Sequence, residues 1–227
     1  MPQLTDKKNR FFLYVLALIL LSTINNIDIF KKKSSILKIK SIKVSGLSNE
    51  NNIKVRNDLS SLLFQNILFI NKDKIKEILL ENNLIELFEV KKNYPNSVQI
   101  DLQKTKFIAI TINNNQNFFV GSNGKLINYK NIENNLPFVF GKINYQELID
   151  FKKLIDDSEL NFENIESIYF FPSNRWDIKT SDGVLIKLPE KNLFKALSIA
   201  SKIKSNDLLK NNKIIDLRIP NNIITSK

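Results

Sequence analysis

The chain has 227 residues, of which 43% are apolar, so it can form a packed core and is not expected to be disordered as a whole. It contains no cysteine and no histidine, which excludes disulfides, thiolate metal sites and the commonest general base of enzymes. The net charge of +11 indicates attraction to anionic lipid or, as a sharper hypothesis, nucleic-acid binding.

An apolar run near the N-terminus predicts a single transmembrane helix. The unbroken run 11–21 is short for a bilayer, but the window 11–30 reaches the roughly 20 residues that a spanning helix needs. No small-x-small cleavage site follows, so an uncleaved anchor is favoured over a cleaved signal peptide, and a buried core helix is the remaining alternative. Basic residues flank both ends, so charge alone does not set the orientation. The short tail 1–10 is predicted to be cytoplasmic, with the bulk of the chain translocated.

A linker, 31–37, is followed by a first unit, 38–106, with the order β-α-α-β-β. Strand 38–46 ends at Gly46, a helix capped by Ser48 or Asn49 follows, and Asn71 caps a second helix. A strand then leads to the turn 94–97, and strand 97–103 alternates apolar and polar residues without interruption.

A second unit, 107–227, is predicted to be a mixed α/β domain with a mostly antiparallel sheet, which makes the whole chain α+β. Its hairpins turn at Asn123-Gly124 and Asp182-Gly183. The predicted elements are hairpin 117–127, a short segment 134–141, helix 145–157, strand 165–171, hairpin 175–189, helix 190–205 and a final strand 213–219.

The final strand has the signature of a sheet edge. Ile215, Leu217 and Ile219 occupy alternate positions, so one face of the strand is predicted to be buried. Pro220 follows, and proline is tolerated mainly at sheet edges because it cannot donate to a ladder. Such an edge is either covered by a partner or prone to unwanted pairing.

No constellation of residues indicates catalysis or cofactor binding. The five glycines form no phosphate-binding loop, and Asp156, Asp157 and Glu159 are interpreted as a solvated helix end. Arg175 and Trp176 are interpreted as a surface cation and a core aromatic. No helix-turn-helix pattern or exposed aromatic platform for nucleic acid is present. The sequence therefore predicts no enzyme, no cofactor, no metal, no small-molecule substrate and no nucleic-acid partner.

Five motifs in order resemble the FtsQ/DivIB family of bacterial division proteins, in the form found in alphaproteobacteria. They are IKSIKVSGLS, NILFINKDKIKEILLENNLIELFEVKKNYPNSVQIDLQKTKFIAIT, FVGSNGKLI, RWDIKTSDGVLIKLP and IIDLRIPNNI. Two positions depart from the family pattern, because Gln65 replaces a common glycine and Gln103 replaces a common acidic residue. The likeness extends from about residue 38 to residue 224, so it covers both predicted units.

The resemblance implies a scaffold protein of the divisome, of a kind that is essential for cell division. It would lie in the inner membrane at the septum and link upstream and downstream division proteins. The first unit would be a POTRA domain linked to recruitment, and the second a β domain that binds the coiled-coil proteins FtsB and FtsL. A segment of FtsB would add to the last strand, which Asp216 and Leu217 would position. The partner-facing residues would be Arg218, Ile219, Pro220, Asn221, Asn222, Ile223 and Ile224.

Two other functions stay open at this point. The β-α-α-β-β unit alone is compatible with a POTRA-carrying membrane protein that acts as a chaperone for extended outer-membrane or secreted polypeptides. The charge alone is compatible with a membrane protein that binds nucleic acid or lipid.

Overall fold

The computed structural model describes residues 7–23, 36–128, 135–205, 213–219 and 222–226. The N-terminal helix α1 is Lys7–Thr23, and each of its side chains from residue 10 to residue 21 is exposed. The interpretation as a buried core helix is therefore wrong. Within the described ranges, no helix is both long enough and apolar enough to cross a membrane. Residues 24–30 of the predicted spanning segment lie outside the described part.

Residues 36–104 form a three-stranded unit with the predicted β-α-α-β-β order. The strand order is β1-β3-β2, with β1 parallel to β3 and β2 antiparallel to it. Two short 3₁₀ turns connect the helices. The elements are β1 (Ser41–Ser45), α2 (Asn49–Asp58), the 3₁₀ turns Leu59–Leu62 and Ile67–Phe69, α3 (Lys72–Leu80), β2 (Ile85–Asn93) and β3 (Ser97–Lys104).

The helix starts follow the capping signals in the sequence. The Ser48 hydroxyl accepts from the Asn51 amide, and the Asn71 side-chain oxygen accepts from the Asp73 amide at 2.9 Å. The helices pack on the sheet through an apolar core. Strand β3 contributes alternate residues to this core, as expected for a strand with one buried face. Its members include Ile39, Val55, Leu59, Leu62, Ile67, Ile75, Leu79, Val98 and Ile100.

Residues 107–226 form a nine-stranded unit, whose strand order is β12-β11-β10-β9-β8-β7-β4-β5-β6. Five described pairings are antiparallel and three are parallel, so the predicted mostly antiparallel sheet is confirmed. The strands are β4 (Phe107–Asn113), β5 (Gln116–Gly121), β6 (Leu126–Ile127), β7 (Phe138–Phe140), β8 (Ile165–Phe171), β9 (Arg175–Thr180), β10 (Leu185–Lys187), β11 (Ile214–Asp216) and β12 (Ile224–Ser226).

Helices α4 (Tyr145–Asp157) and α5 (Leu193–Ser205) contribute to one core with the sheet. Trp176 is buried in this core, stacked on Phe151 of α4 with ring centroids 4.1 Å apart and tilted against Phe170 of β8. The interpretation of Trp176 as a core residue is therefore confirmed. The core also contains Leu148, Ile155, Ile168, Ile178, Ile186, Leu188, Ala196, Leu197, Ala200 and Ile215.

Two strands are absent from the sequence prediction. β4 lies at the start of the second unit, where no strand is predicted before residue 117, although it carries an apolar run buried on both faces and lies inside the nine-stranded sheet. β12 follows the predicted final strand and covers it. The predicted strand 213–219 is in fact β11, which ends at Asp216.

Candidate partner-binding edge

The open edge near the C-terminus is β12. One side of β12 pairs antiparallel with β11, with Ile224 opposite Asp216, Thr225 opposite Ile215 and Ser226 opposite Ile214. Its other long side has no neighbouring strand among the described residues. All three side chains of β12 are exposed. The edge is short, which is how natural sheets limit unwanted pairing.

Asp216 is the last residue of β11, and Arg218 lies at the start of the connection to β12. The Arg218 amide donates to the Asp216 carboxylate at 3.1 Å, and the Arg218 guanidinium binds both of its oxygens. A side-chain acceptor two residues before the amide is the geometry of an Asx turn, which competes with strand continuation. Leu217 lies between them, buried in the core, and its amide donates to the Lys187 carbonyl at 2.9 Å.

The structure places the seven predicted partner-facing residues differently from the sequence prediction. They were expected to form the edge strand itself, but only Ile224 lies in β12. The described residues Arg218, Ile219, Asn222 and Ile223 lie in the connection before it, while Pro220 and Asn221 lie outside the described residues. Thr225 and Ser226 were not predicted, because an exposed three-residue strand carries no apolar alternation that would reveal it.

A row of paired residues crosses the outer face of the sheet and ends at this edge. Asp177 of β9 lies opposite Lys187 of β10, which lies opposite Asp216 of β11, which in turn lies opposite Ile224 of β12. Paired residues share a face, so the charges alternate along the row and support one another. The row is charged from β9 to β11, and it ends at Ile224 with an exposed apolar side chain.

In both carboxylates of this row, positively charged neighbours lower the pKa and burial raises it, but the net shift differs between Asp216 and Asp177. Hydrogen bonds from Arg218 lower the pKa of Asp216, against a smaller opposing effect of burial. For Asp177, burial dominates and raises its pKa, although Arg175, Arg218 and Lys187 oppose the rise. The Arg175 Nε lies 3.7 Å from an Asp177 carboxylate oxygen, and neither atom has a hydrogen-bond partner in the described structure.

An apolar groove of about 260 Å³ lies beside the edge, on the face that carries α5. Ile219 and Ile223 line it with about half of each side chain exposed. Because neighbouring residues of an extended chain point to opposite faces, Ile223 lines this groove while Ile224 joins the outer row. The other lining residues are Pro189, Lys191, Asn192, Lys195, Ala196, Ile199, Leu217 and Asn222.

The carboxylates considered during sequence analysis do not form a site. Asp156 pairs with Lys152 one helical turn away, and Glu159 follows the end of α4 with a positive φ of 66°. Across the described ranges, no group of three or more acidic, histidine or cysteine side chains is arranged to hold a metal ion.

Comparison with known proteins gives two adjoining family matches. Residues 37–104 match the POTRA domain, FtsQ-type, and residues 109–218 match the cell division protein FtsQ/DivIB, C-terminal. The chain belongs to the FtsQ/DivIB family. The first match covers the three-stranded unit, which is therefore a POTRA domain. The second covers the nine-stranded unit up to the turn at Arg218, immediately before the connection to β12.

Relatives with the name cell division protein FtsQ come from alphaproteobacteria. The protein of Rickettsia bellii is 28% identical over 195 residues, a match that spans 84% of this chain and 72% of the relative. The protein of Bradyrhizobium diazoefficiens is 26% identical over 166 residues, spanning 70% of this chain and 47% of the relative. Against the Bradyrhizobium protein, the match therefore spans about half of the relative's length.

A solved structure shares a weaker likeness with this chain. It is the major extracytoplasmic domain of the trans isomer of the cell division protein DivIB from Geobacillus stearothermophilus. The match has a TM-score of 0.34 and 17% identity, and covers 45% of this chain and 93% of that one. The role in cell division follows from the family matches and the named relatives. The protein is a scaffold of bacterial cell division, and members of its family act with protein partners.

Proposed function

We propose that this protein holds its division partner by strand addition at β12, without catalysis, cofactor or small-molecule substrate. The outer side of β12 carries the proposal, because no strand lies beside it among the described residues and an added strand can form a ladder there. Backbone hydrogen bonds would supply affinity, and side chains on both faces of the added strand would supply specificity.

Two features beside β12 support one defined register for the added strand. On the inner face, the apolar groove next to Ile223 can accept side chains of the partner. On the outer face, Ile224 is half exposed at the end of the charged row and can pair with an apolar cross-strand neighbour. Since strand side chains alternate, a partner with apolar residues on both faces fits better than one with a single apolar face.

The proposed partners are the small coiled-coil division proteins FtsB and FtsL, with FtsB supplying the added strand. The proposed site keeps the residues predicted from the sequence and extends them along the observed edge. Ile224, Thr225 and Ser226 would form the ladder, and the connection before them would contact the rest of the partner. That connection comprises Arg218, Ile219, Pro220, Asn221, Asn222 and Ile223.

We also propose that α1 anchors the protein in the inner membrane, with the N-terminal tail in the cytoplasm and the rest of the chain in the periplasm at the septum. The exposed apolar side chains from Phe11 to Leu21 support this, because their burial in lipid would be favourable. The proposed division of the chain is a tail 1–10, an anchor 11–30, a linker 31–37, a POTRA domain 38–106 and a β domain 107–227.

Photo-crosslinking in cells, with a probe at Asn222, tests the partner and the topology together. Capture of a small single-pass coiled-coil protein is the expected result. Capture of secreted or outer-membrane chains would favour the chaperone function instead, and a cytosolic or nucleic-acid adduct would contradict the proposed orientation.

Substitutions at the edge test the mode of binding. Ile224→Lys and Asn222→Pro are each expected to weaken partner binding about tenfold or more, which is about 1.4 kcal/mol. Ile112→Lys is the matched control, since Ile112 is an equally exposed isoleucine at 51% but lies in β4. Unchanged affinity in the two edge variants, with the domain folded, would exclude strand addition at β12.

A further inference from the structure

The POTRA domain exposes a group of large apolar side chains that its own core does not use. Phe64 is 74% exposed, Phe69 82% and Tyr94 61%, and Ile36 and Leu68 are nearly half exposed. We call these five residues the aromatic tip. Side chains of this size are normally among the most buried of a domain, so several together on one surface indicate a contact with something outside it.

Backbone hydrogen bonds bring the members of the aromatic tip together. The Phe64 amide donates to the Ile39 carbonyl, and the Ile39 amide donates to the Gln65 carbonyl, both at 2.9 Å. The Ile67 amide donates to the Leu37 carbonyl at 2.9 Å. The segment 64–69 therefore runs antiparallel to the segment 36–39, with Lys38 opposite Asn66. This pairing places Ile36 near Leu68 and places Phe64 at its other end.

The turn that carries Tyr94 lies at the same end of the domain. The Lys40 amide donates to the Asn96 carbonyl at 2.8 Å, which ties this turn to the segment 36–40. The Lys92 ammonium donates to the Leu68 carbonyl at 3.2 Å, so β2 also reaches segment 64–69. These contacts tie together the three segments that carry the aromatic tip.

The exposure of the tip is built into the fold. Leu62, Ile67 and Ile70 alternate with the exposed residues of the same segment and are at most 7% exposed, so the segment is packed firmly. Phe64 has a positive φ of 66°, a conformation that a bulky side chain adopts only at a cost. Backbone outliers of this kind cluster at functional surfaces.

The position of the tip in the chain indicates what lies opposite it. Helix α1 ends at Thr23 and the described chain resumes at Ile36, itself a tip residue. The 13 residue steps from Thr23 to Ile36 can span at most about 47 Å, even when fully extended. If α1 lies in the bilayer, as proposed above, the tip is the part of the domain where the chain returns from the membrane.

The charge around the tip complements an anionic surface. Lys38 and Lys40 flank Ile39 and are exposed, and no ion pair engages either lysine in the part of the chain that the structure describes. Lys31, Lys32 and Lys33 precede them in the sequence. Juxtamembrane lysines are attracted to anionic lipid, and aromatic side chains partition into the headgroup region beside them.

We propose that the aromatic tip inserts into the headgroup region of an anionic bilayer and so fixes the orientation of the POTRA domain on the membrane. The inference rests on the anchoring role of α1 in the proposed function. Phe64, Leu68 and Phe69 supply apolar contact with the lipid. Lys38 and Lys40 supply the attraction that makes this contact selective for anionic lipid.

Depth measurements on the full chain test this proposal. The chain has no native cysteine, so single cysteines can carry a spin label at Gln65, inside the tip, and at Leu16, inside α1. The protein is reconstituted into vesicles of phosphatidylethanolamine and phosphatidylglycerol, and collision with oxygen is compared with collision with a water-soluble nickel chelate. We expect the Gln65 label to be shielded from nickel several-fold relative to a label at Asn174, in the turn between β8 and β9.

The pair Phe64→Ser and Phe69→Ser is expected to abolish this shielding, whereas Phe194→Ser, which changes an exposed phenylalanine of α5, leaves it unchanged. Urea unfolding followed by circular dichroism verifies folding of each variant, and Phe69→Ser alone serves if the pair does not fold. If the Leu16 label lies in lipid and the Gln65 label lies in water, the tip proposal is overturned. The proposal that α1 anchors the protein is then unaffected. Both labels in water overturn both proposals. Shielding that persists in pure phosphatidylcholine, or in the serine variants, also overturns the tip proposal.

Discussion

The Arg218 guanidinium donates hydrogen bonds to the carboxylate of Asp216, with its Nε 2.8 Å and 3.0 Å from the two oxygens. The two residues flank Leu217, whose side chain is buried in the core. The pair therefore joins the end of β11, the core and the start of the connection to β12. An edge strand that begins a few residues later depends on this turn for its position.

Arg218→Ala is expected to destabilise the β domain by about 0.5–1 kcal/mol at neutral pH, since the arginine is 39% exposed and its ion pair is partly screened. The pKa of Asp216 is lowered in the folded state. Its stabilising contribution is therefore present above the unfolded pKa near 3.8 and lost as the pH falls through the folded pKa.

Urea unfolding of wild type and variant at neutral pH and at about pH 2–3 measures this effect. The difference in unfolding free energy should shrink in acid. Arg56→Ala, on the exposed side of α2, controls for the general loss of one positive charge. A difference that is the same at both pH values would show that Arg218 acts by packing and not through the Asp216 carboxylate.

Phe151→Ala is expected to cost about 3–4 kcal/mol, because it removes a buried ring that stacks on Trp176 at 4.1 Å. Trp176 is the single tryptophan of the chain, so its emission reports on this contact directly. The emission maximum should move to longer wavelength as water reaches the indole. Phe194→Ala, at a half-exposed position, should change stability by less than about 0.5 kcal/mol and leave the emission unchanged.

Gly141 and Gly183 both have positive φ, at 115° and 86°, but their surroundings differ. A Cβ at Gly141 would overlap the Phe170 carbonyl oxygen, whereas a Cβ at Gly183 meets no atom within 4 Å. Gly183→Ala should cost about 1 kcal/mol from the backbone conformation alone. Gly141→Ala should cost more, about 2–4 kcal/mol, because strand β8 must also move. If thermal or urea unfolding gave equal losses of unfolding free energy for the two variants, the close approach to Phe170 would not contribute to the cost.

Local signals in the sequence predicted most of the fold. Ser48 and Asn71 marked the starts of α2 and α3, and the Asp182-Gly183 turn placed the β9–β10 hairpin. These features depend on residues close in sequence, so periodicity and capping are sufficient to identify them. Gln65, which replaces a common family glycine, needs no special backbone freedom, because the residue with positive φ here is its neighbour Phe64.

The candidate edge was predicted only in part, for a physical reason. The period of two through Ile215, Leu217 and Ile219 was interpreted as one long strand, but the side chain of Asp216 binds the Arg218 amide and ends it early. Ile219 is consequently half exposed and not buried. Competition between a side-chain acceptor and a strand ladder depends on which partner the ladder has, and alternation in one sequence does not reveal this.

The Asn123-Gly124 turn shows a second limit, because the Asn-Gly pattern predicts only a hairpin turn. In the structure, the Asn123 amide group donates to the carbonyls of Asn83 and Ile85, both at 3.0 Å. The neighbouring Ser122 hydroxyl donates to the Glu86 carboxylate at 2.9 Å. The hairpin of the β domain is thereby fastened to the POTRA domain where α3 passes into β2.

Asn123→Ala is therefore expected to loosen the junction between the two domains. It leaves two carbonyls without this donor and should cost about 1–3 kcal/mol in the unfolding of the full chain. The connection 105–106 should also become more susceptible to limited proteolysis, because Thr105 and Lys106 are held by the same hairpin through Ser122. Asn117→Ala, at an exposed position of β5, is the matched control and should change neither property. Normal protection of 105–106 in Asn123→Ala would mean that the remaining contacts hold the domains together without Asn123.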